Sequence, residues 1–212
     1  MEFECIPLGS GIGPAVYWMT GAEFSPDKLL AELADCDGIL VVCRLSDWNR
    51  HMTPWEAPPA FGREGFSGGA GETLHWLRET CIPAVTAQFG NRESYICGYS
   101  LGGLFALWAT LESDCFRGAV SCSGSLWYPG WLDYFHGKSI SREIRVYLSL
   151  GTHEERTHNP VLAAVGPATR ETYERLQQHC PAALQWNPGG HFRDPERRTA
   201  MGIRWLLGKE ML

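Results

Sequence analysis

The sequence predicts an α/β fold in which helices cover both faces of a mainly parallel central sheet. Short apolar runs of strand length alternate with segments of helical periodicity along the chain, which is the pattern of consecutive βαβ units. The run at 38–43 is apolar throughout, as is typical of a strand buried on both faces. We find no repeat, low-complexity stretch or linker, so a single domain over residues 1–212 is expected.

Each predicted element has a local signal. The predicted strands lie at 3–8 (an antiparallel edge strand), 15–19, 38–43, 94–99, 118–122, 144–150 and 183–186. The predicted helices lie at 25–35, around 74–82, at 101–112, at 160–178 and after Pro195. Ser25 and Pro26 supply an N-cap and a first-turn proline for the first helix. Pro83 is expected to kink or interrupt the second helix, which follows a loop at about 46–66 that is rich in Pro and Trp.

Composition excludes several functional classes. The formal charge is -6, and the Lys and Arg residues are scattered, so nucleic acid is not an expected partner. The first residues are acidic where a signal peptide is basic, and no apolar run reaches the ~18 residues that span a bilayer. The 8 cysteines form no C-x-x-C pair and mostly have apolar neighbours, which predicts reduced, buried thiols. A cytoplasmic protein without membrane contact is therefore expected.

Neither a cofactor nor a metal is expected. The glycine-rich stretch at 9–13 precedes a strand, and Pro14 occupies the last glycine position of a G-x-G-x-x-G pattern, so a turn is favoured over a nucleotide site. His153 and His158 are five residues apart. In a zinc-protease helix the two histidines are four apart and share one face.

The segment Gly98-Tyr99-Ser100-Leu101-Gly102 carries the clearest chemical signal. It follows an apolar strand and leads into a helical pattern, which is the context that a G-x-S-x-G nucleophile elbow requires. Glycines flank the serine because the turn is strained and side chains there would collide with the neighbouring strand and helix. Ser100 is therefore the predicted nucleophile.

A serine hydroxyl needs a base to take its proton. His191 follows two glycines in a loop after the last predicted strand, and these glycines permit a tight turn that brings the imidazole close to Ser100. We predict that His191 is the general base.

The third catalytic group is expected to be a carboxylate between the serine and the histidine in sequence. Glu154 and Glu155 follow the strand at 144–150 at the same edge of the sheet. Glu154 is the first choice and Glu155 the reserve, because two adjacent side chains cannot both point at one imidazole. Asp194 is interpreted as a cap for the helix that begins at Pro195.

An acyl-transfer site also needs donors for the developing oxyanion. One predicted donor is the backbone N–H of Leu101, at the start of the helix after the nucleophile. The second is assigned to Ala22 or Gly21, in the loop after the strand at 15–19.

With these residues placed, the chain resembles the esterase-D-like and enterochelin-esterase-like branch of the α/β-hydrolases. The resemblance rests on the segments at 17–21, 98–103, 123–128, 151–155 and 189–191. It implies an α/β-hydrolase fold and a triad of Ser100, Glu154 and His191. It also implies hydrolysis of a small-molecule ester or thioester through an acyl-enzyme. The chain is shorter than the larger relatives, so we expect a compact version of the fold without a lid domain and with an open, shallow site.

Aromatic residues in loops at the same edge are candidates for substrate binding. These are Trp48, Trp55, Trp127 and Tyr128. The alternative for each is that it packs its loop onto the sheet. Two other functions also stay open: acyl transfer to an alcohol or sugar by the same triad, and a non-catalytic binding protein with a hydrolase fold. The sequence leaves the oligomeric state open.

Overall fold

A computed structural model describes residues 1–21, 26–60 and 62–209 of the chain. The strands of the described residues are β1 (Glu2–Leu8), β2 (Ala15–Gly21), β3 (Gly38–Leu45), β4 (Glu56–Ala57), β5 (Phe66–Ser67), β6 (Ser94–Tyr99), β7 (Gly118–Cys122), β8 (Arg145–Gly151) and β9 (Ala182–Asn187). The helices are α1 (Asp27–Glu32), α2 (Trp48–His51), α3 (Ala70–Trp76), α4 (Ile82–Phe89), α5 (Leu101–Glu112), α6 (Trp131–His136), α7 (Pro160–Ala163), α8 (Val165–Leu176) and α9 (Pro195–Leu206).

Seven of these strands form the central sheet, in the order β1-β3-β2-β6-β7-β8-β9. β1 pairs antiparallel with β3 at one edge, and all other neighbours in the sheet are parallel. Crossover helices connect the parallel strands because such strands cannot be joined by a short turn. The mainly parallel α/β-hydrolase sheet predicted from the sequence, with its antiparallel edge strand, is confirmed.

Two hydrophobic layers lie on opposite faces of the sheet. Along β2, Tyr17 and Met19 pack into the layer that contains α3, α4 and α5, while Val16 and Trp18 pack into the layer that contains α1 and α9. Side chains alternate between the faces of a strand, and β2 is buried at every position because both of its faces are covered. Helices cover both faces, as predicted.

The structure differs from the sequence prediction at four places. The loop at 46–66 contains α2 and the short β4–β5 hairpin. Pro83 lies in the first turn of α4 and follows a π-helical turn at Leu77–Cys81, so the helix continues where an interruption was one expectation. The helix predicted at 160–178 divides at Ala164 into α7 and α8. Helix α6 had no prediction.

The topology brings three loops to the carboxyl edge of the sheet. The turn after β6 joins α5, the loop after β8 leads to a 3-10 turn at Glu154–Arg156, and the loop after β9 leads to α9. The last two loops are joined by backbone hydrogen bonds, from the Thr152 N–H to the Asn187 carbonyl at 2.8 Å and from the His153 N–H to the Gly189 carbonyl at 3.0 Å.

None of the helices in the described ranges has the length and the apolar character that a membrane span requires.

Candidate active site

The turn that carries Ser100 is strained and depends on its glycines. Ser100 has φ 57° and ψ -123°, a conformation that a residue with a side chain rarely adopts. A Cβ at Gly98 would lie 2.4 Å from the backbone carbon and oxygen of Gly102. The glycines therefore let β6 approach the first turn of α5 closely, and the Ser100 N–H is held by the Cys122 carbonyl of β7 at 3.0 Å.

Ser100, His191 and Glu154 form a continuous chain of contacts. The Ser100 Oγ lies 3.1 Å from His191 Nε2, and His191 Nδ1 lies 2.7 Å from Glu154 Oε2. The structure thus brings together the three residues that the sequence assigned to a triad. Their geometry matches that of a nucleophile, its base and the group that orients the base.

Glu154 is held as a carboxylate by a set of donors. Its side chain is 4% exposed, and its Oε1 accepts hydrogen bonds from the Ser123 hydroxyl and the Gly151 N–H, both at 2.7 Å. Burial alone would raise the pKa of Glu154, but the hydrogen bonds from His191, Ser123 and Gly151 and the proximity of His191 outweigh it and lower the pKa. The charged form is therefore favoured opposite His191.

Sequence reasoning missed Arg198, which lies behind Glu154. The side chain of Arg198 is 3% exposed, and its Nη1 lies 3.3 Å from Glu154 Oε1 and 3.0 Å from the Tyr99 hydroxyl. Its Nη2 donates to the carbonyls of Pro188 and Gly190, at 3.1 and 3.2 Å. One guanidinium thus links the candidate acid to the loop of the candidate base. Its position in α9, seven residues after His191, was the only sequence signal that it could lie near the site. An arginine in a helix is usually exposed, so this signal was not used.

Tyr99 supports the same loop. Its hydroxyl donates a hydrogen bond of 2.7 Å to the His191 carbonyl. Burial raises the pKa of Tyr99 to about 12, so the phenol stays protonated and remains a donor. Ser123 completes this buried cluster, with its Oγ 3.0 Å from the Tyr99 hydroxyl.

The neighbouring acidic residues serve other partners. Glu155, the reserve choice for the acid, pairs with Arg170 at 2.6 Å and points away from His191, toward α8. Asp194 occupies the N-cap position of α9, as expected, but its side chain makes no capping hydrogen bond. Its backbone is left-handed, with φ 51°.

Two of the three predicted oxyanion donors, Leu101 and Gly21, lie near Ser100. Leu101 is the first residue of α5, where N–H groups have no partner within the helix. Gly21 ends β2 and lines a cavity together with Ser100. Ala22 lies outside the described residues. Gly21 is therefore the described candidate for the second donor.

Two cavities open beside Ser100, where an open, shallow site was expected. The first has a volume of about 420 Å³ and is lined by Trp48 and by the ends of β2 and β3. The second has a volume of about 560 Å³ and is lined by Trp127, α7 and the start of α8. Helix α7 and the loop after β9 supply walls that the sequence did not reveal.

The other two aromatic candidates pack the loops together. The Trp55 Nε1 donates to the Pro129 carbonyl at 2.8 Å, and the Tyr128 hydroxyl donates to the Trp55 carbonyl at 2.6 Å. Their rings meet edge to face at 5.7 Å. The structure thus brings Trp48 and Trp127 to the cavities. Trp55 and Tyr128 hold loops together instead, because indole N–H and phenol O–H groups find partners when they are buried.

Within the described residues, no group of three or more His, Cys, Asp or Glu side chains is arranged to hold a metal ion. The arrangement that is present suits acyl transfer at a serine. Together, the sheet order, the strained serine turn and the loops at the carboxyl edge place the protein among the α/β-hydrolases.

Comparison with known proteins gives the family. Residues 9–193 match the family described as "Putative esterase", so the chain belongs to that esterase family and is an ester hydrolase. No curated protein matches the chain in sequence.

Solved structures show the same fold at low sequence identity. An IroE-like serine hydrolase from Shewanella oneidensis superposes with a TM-score of 0.82 at 17% identity, over 97% of this chain and 75% of that one. The siderophore hydrolase EstA from Aspergillus nidulans gives 0.72 at 18% identity, over 97% and 94% of the two chains. The enterochelin esterase from Shigella flexneri gives 0.72 at 18% identity, over 96% of this chain and 54% of that one.

Proposed function

We propose that this protein hydrolyses a carboxylic ester or thioester through an acyl-enzyme on Ser100. The observation that carries the proposal is the contact chain from Ser100 Oγ through His191 to Glu154, with distances of 3.1 and 2.7 Å. Family membership supports ester hydrolysis in general, and the geometry supports the roles that we propose for the three residues.

In the first half-reaction, the Ser100 Oγ attacks the ester carbonyl carbon while His191 Nε2 takes the hydroxyl proton. Negative charge develops on the carbonyl oxygen, and the N–H groups of Leu101 and of Gly21 or Ala22 stabilise it. His191 then gives its proton to the leaving alcohol or thiol, the bond to the leaving group breaks, and the acyl group stays on Ser100.

In the second half-reaction, His191 takes a proton from water, which attacks the acyl carbon. The acid is released, and the proton returns to Ser100. Glu154 accepts a hydrogen bond from the His191 Nδ1–H throughout, fixes the tautomer with a free Nε2, and stabilises the imidazolium.

Substrate identity is a separate question. Similar structures are named siderophore hydrolase and enterochelin esterase, so siderophore esters belong among the substrates to assay. The free thiols of all eight cysteines suit a reducing compartment, which supports the cytoplasmic location that we propose.

The test is hydrolysis of short p-nitrophenyl esters by the wild type and by Ser100→Ala. We expect the substitution to lower kcat by at least about 10³-fold, because the nucleophile is lost and only binding and oxyanion stabilisation remain. Ser113→Ala is the matched control, since this serine caps the far end of α5 and should retain wild-type turnover. Full activity in Ser100→Ala would refute the mechanism. Added alcohols that yield new esters instead of the acid would favour acyl transfer over hydrolysis.

A further inference from the structure

Two cavities lie beside Ser100 and share part of their lining. Ser100, His191 and Phe192 line both. The apolar part of the first wall includes Trp48, and that of the second consists of Trp127, Leu162 and Val165, while hydroxyl groups and one or two ionisable side chains complete each lining. An acyl carbon bonded to Ser100 Oγ would therefore have an apolar compartment on each side.

Phe192 marks the boundary between the compartments. Its side chain is 91% exposed, and its ring stands edge-on to the His191 imidazole, with centroids 5.1 Å apart and an interplanar angle of 88°. An exposed phenylalanine at the rim of two apolar cavities is typical of a surface that is covered by an apolar ligand. A substrate that fills both cavities would cover this ring from both sides.

The walls of both cavities disfavour an anionic substrate. Among the described residues that line them there is no Lys or Arg, and the residues outside the described ranges, 22–25, 61 and 210–212, include none in the sequence. Glu196 lines the first cavity, and His153 lines the second with its side chain exposed. The formal net charge of -6 adds repulsion at longer range. A substrate carboxylate bound here would lose water without gaining a cationic partner.

We propose that the site takes uncharged carboxylic esters that carry an apolar group on each side of the scissile bond, one group in each cavity. The proposal rests on the proposed function, and it deepens that function by naming the substrate class.

The first test uses four esters: methyl acetate, methyl valerate, benzyl acetate and benzyl valerate. Burial of the three added methylenes of valerate should raise kcat/KM by up to about 60-fold, at about fourfold per methylene. Burial of the phenyl ring should raise it by about 10- to 100-fold. Because each group has its own cavity, the gain for benzyl valerate should equal the product of the two single gains within about threefold. A gain no greater than the larger single gain would show a shared cavity and overturn the proposal.

Two wall variants assign the groups to the cavities. Trp48 lines the first cavity and Leu162 the second. Trp48→Ala should shrink the gain from one of the two groups, and Leu162→Ala the gain from the other. Equal shrinkage of both gains by either variant would argue against two compartments.

The charge requirement is tested with monomethyl succinate, in which a carboxylate replaces the terminal ethyl group of methyl valerate. We expect its kcat/KM to be at least about 100-fold below that of methyl valerate, because the carboxylate is desolvated without a partner. The same comparison in His153→Gln shows whether the imidazole assists the anion. Equal turnover of the succinate and valerate esters by the wild type would overturn the charge requirement.

Failure of this proposal can be separated from failure of the proposed function. A fluorophosphonate that labels Ser100 in a protein inactive on all four esters would leave the nucleophile in place and overturn only the substrate class. Inactivity without labelling would overturn both.

Discussion

Replacement of Glu154 by Gln should abolish most turnover while leaving the shape of the site in place. Glu154 Oε1 accepts from Ser123 and Gly151 at 2.7 Å and from Arg198 at 3.3 Å, while Oε2 faces His191 Nδ1 at 2.7 Å. The amide oxygen of Gln would stay with the three donors, so its NH₂ group would face Nδ1. His191 Nδ1 would then accept a hydrogen bond from this NH₂ group, and the imidazole proton would move to Nε2. A protonated Nε2 cannot take the proton of the Ser100 hydroxyl.

The expected loss in kcat is about 10³- to 10⁴-fold, the size found where an orienting carboxylate becomes an amide and the tautomer is wrong. Loss of the charge beside the buried Arg198 guanidinium should lower the free energy of unfolding by about 1.5–3 kcal/mol. Turnover of p-nitrophenyl butyrate measures the first effect, and urea denaturation the second.

Glu155→Gln is the matched control for this substitution. The Glu155 side chain is 32% exposed and pairs with Arg170, so it should keep wild-type kcat and lose at most about 1 kcal/mol of stability. Equal losses of kcat in the two variants would refute the assignment of Glu154. So would a Glu154→Gln variant with wild-type turnover.

Three further predictions concern the framework of the site. Gly98→Ala should lower the free energy of unfolding by about 1–3 kcal/mol, because its Cβ would lie 2.4 Å from Gly102 backbone atoms. Gly71→Ala is the control: its Cβ would have open space around it, and it should stabilise α3 by about 0.5–1 kcal/mol. Equal urea midpoints for the two variants would contradict the close approach at Gly98. Arg198→Lys should lower kcat/KM by about 10²-fold, since one ammonium cannot replace a fork that holds both Glu154 and the loop carbonyls; unchanged kinetics would show that the guanidinium does not position the site. The pKa of Glu154 is lowered in the folded protein. The carboxylate therefore contributes its full stabilisation at pH values above the ordinary pKa of 4.5, and this is lost as the pH falls through the lowered pKa. The free energy of unfolding of the wild type should fall over this acid range, and the fall should be smaller in Glu154→Gln.

The inner strands of the sheet could be predicted from the sequence because they are buried on both faces. The predicted bounds at 94–99 and 118–122 agree with β6 and β7, which are buried along almost their whole length and are mostly apolar for that reason. Helix α6 and the hairpin of β4 and β5 escaped prediction, because they are short and are held by aromatic packing between loops, such as that of Phe66 with Tyr128 at 5.2 Å. Local propensity carries little information about such tertiary contacts.

The candidate site was predictable where its residues follow fixed local patterns. Ser100 lies in a tight turn between Gly98 and Gly102, and His191 follows Gly189 and Gly190 in a loop. The glycines are needed because both turns are tight, and the strand order predicts that both turns lie at the same edge of the sheet. The sequence ranked Glu154 ahead of Glu155 but kept both as candidates, since neighbouring carboxylates differ mainly in where their side chains point; in the structure Glu154 faces His191 and Glu155 pairs with Arg170. The position of Arg198 shortly after His191 was a weak signal, because its role depends on contacts with Tyr99, which is distant in sequence, and with two backbone carbonyls of the preceding loop.

The central claim is that Ser100 is the group that becomes acylated. The most direct test is intact-mass measurement after a fluorophosphonate probe, on wild type, Ser100→Ala and Ser113→Ala. The account predicts one adduct on wild type and on Ser113→Ala, located at Ser100 by peptide mapping, and no adduct on Ser100→Ala. An adduct that persists in Ser100→Ala, or an active wild type that takes no adduct, would contradict it.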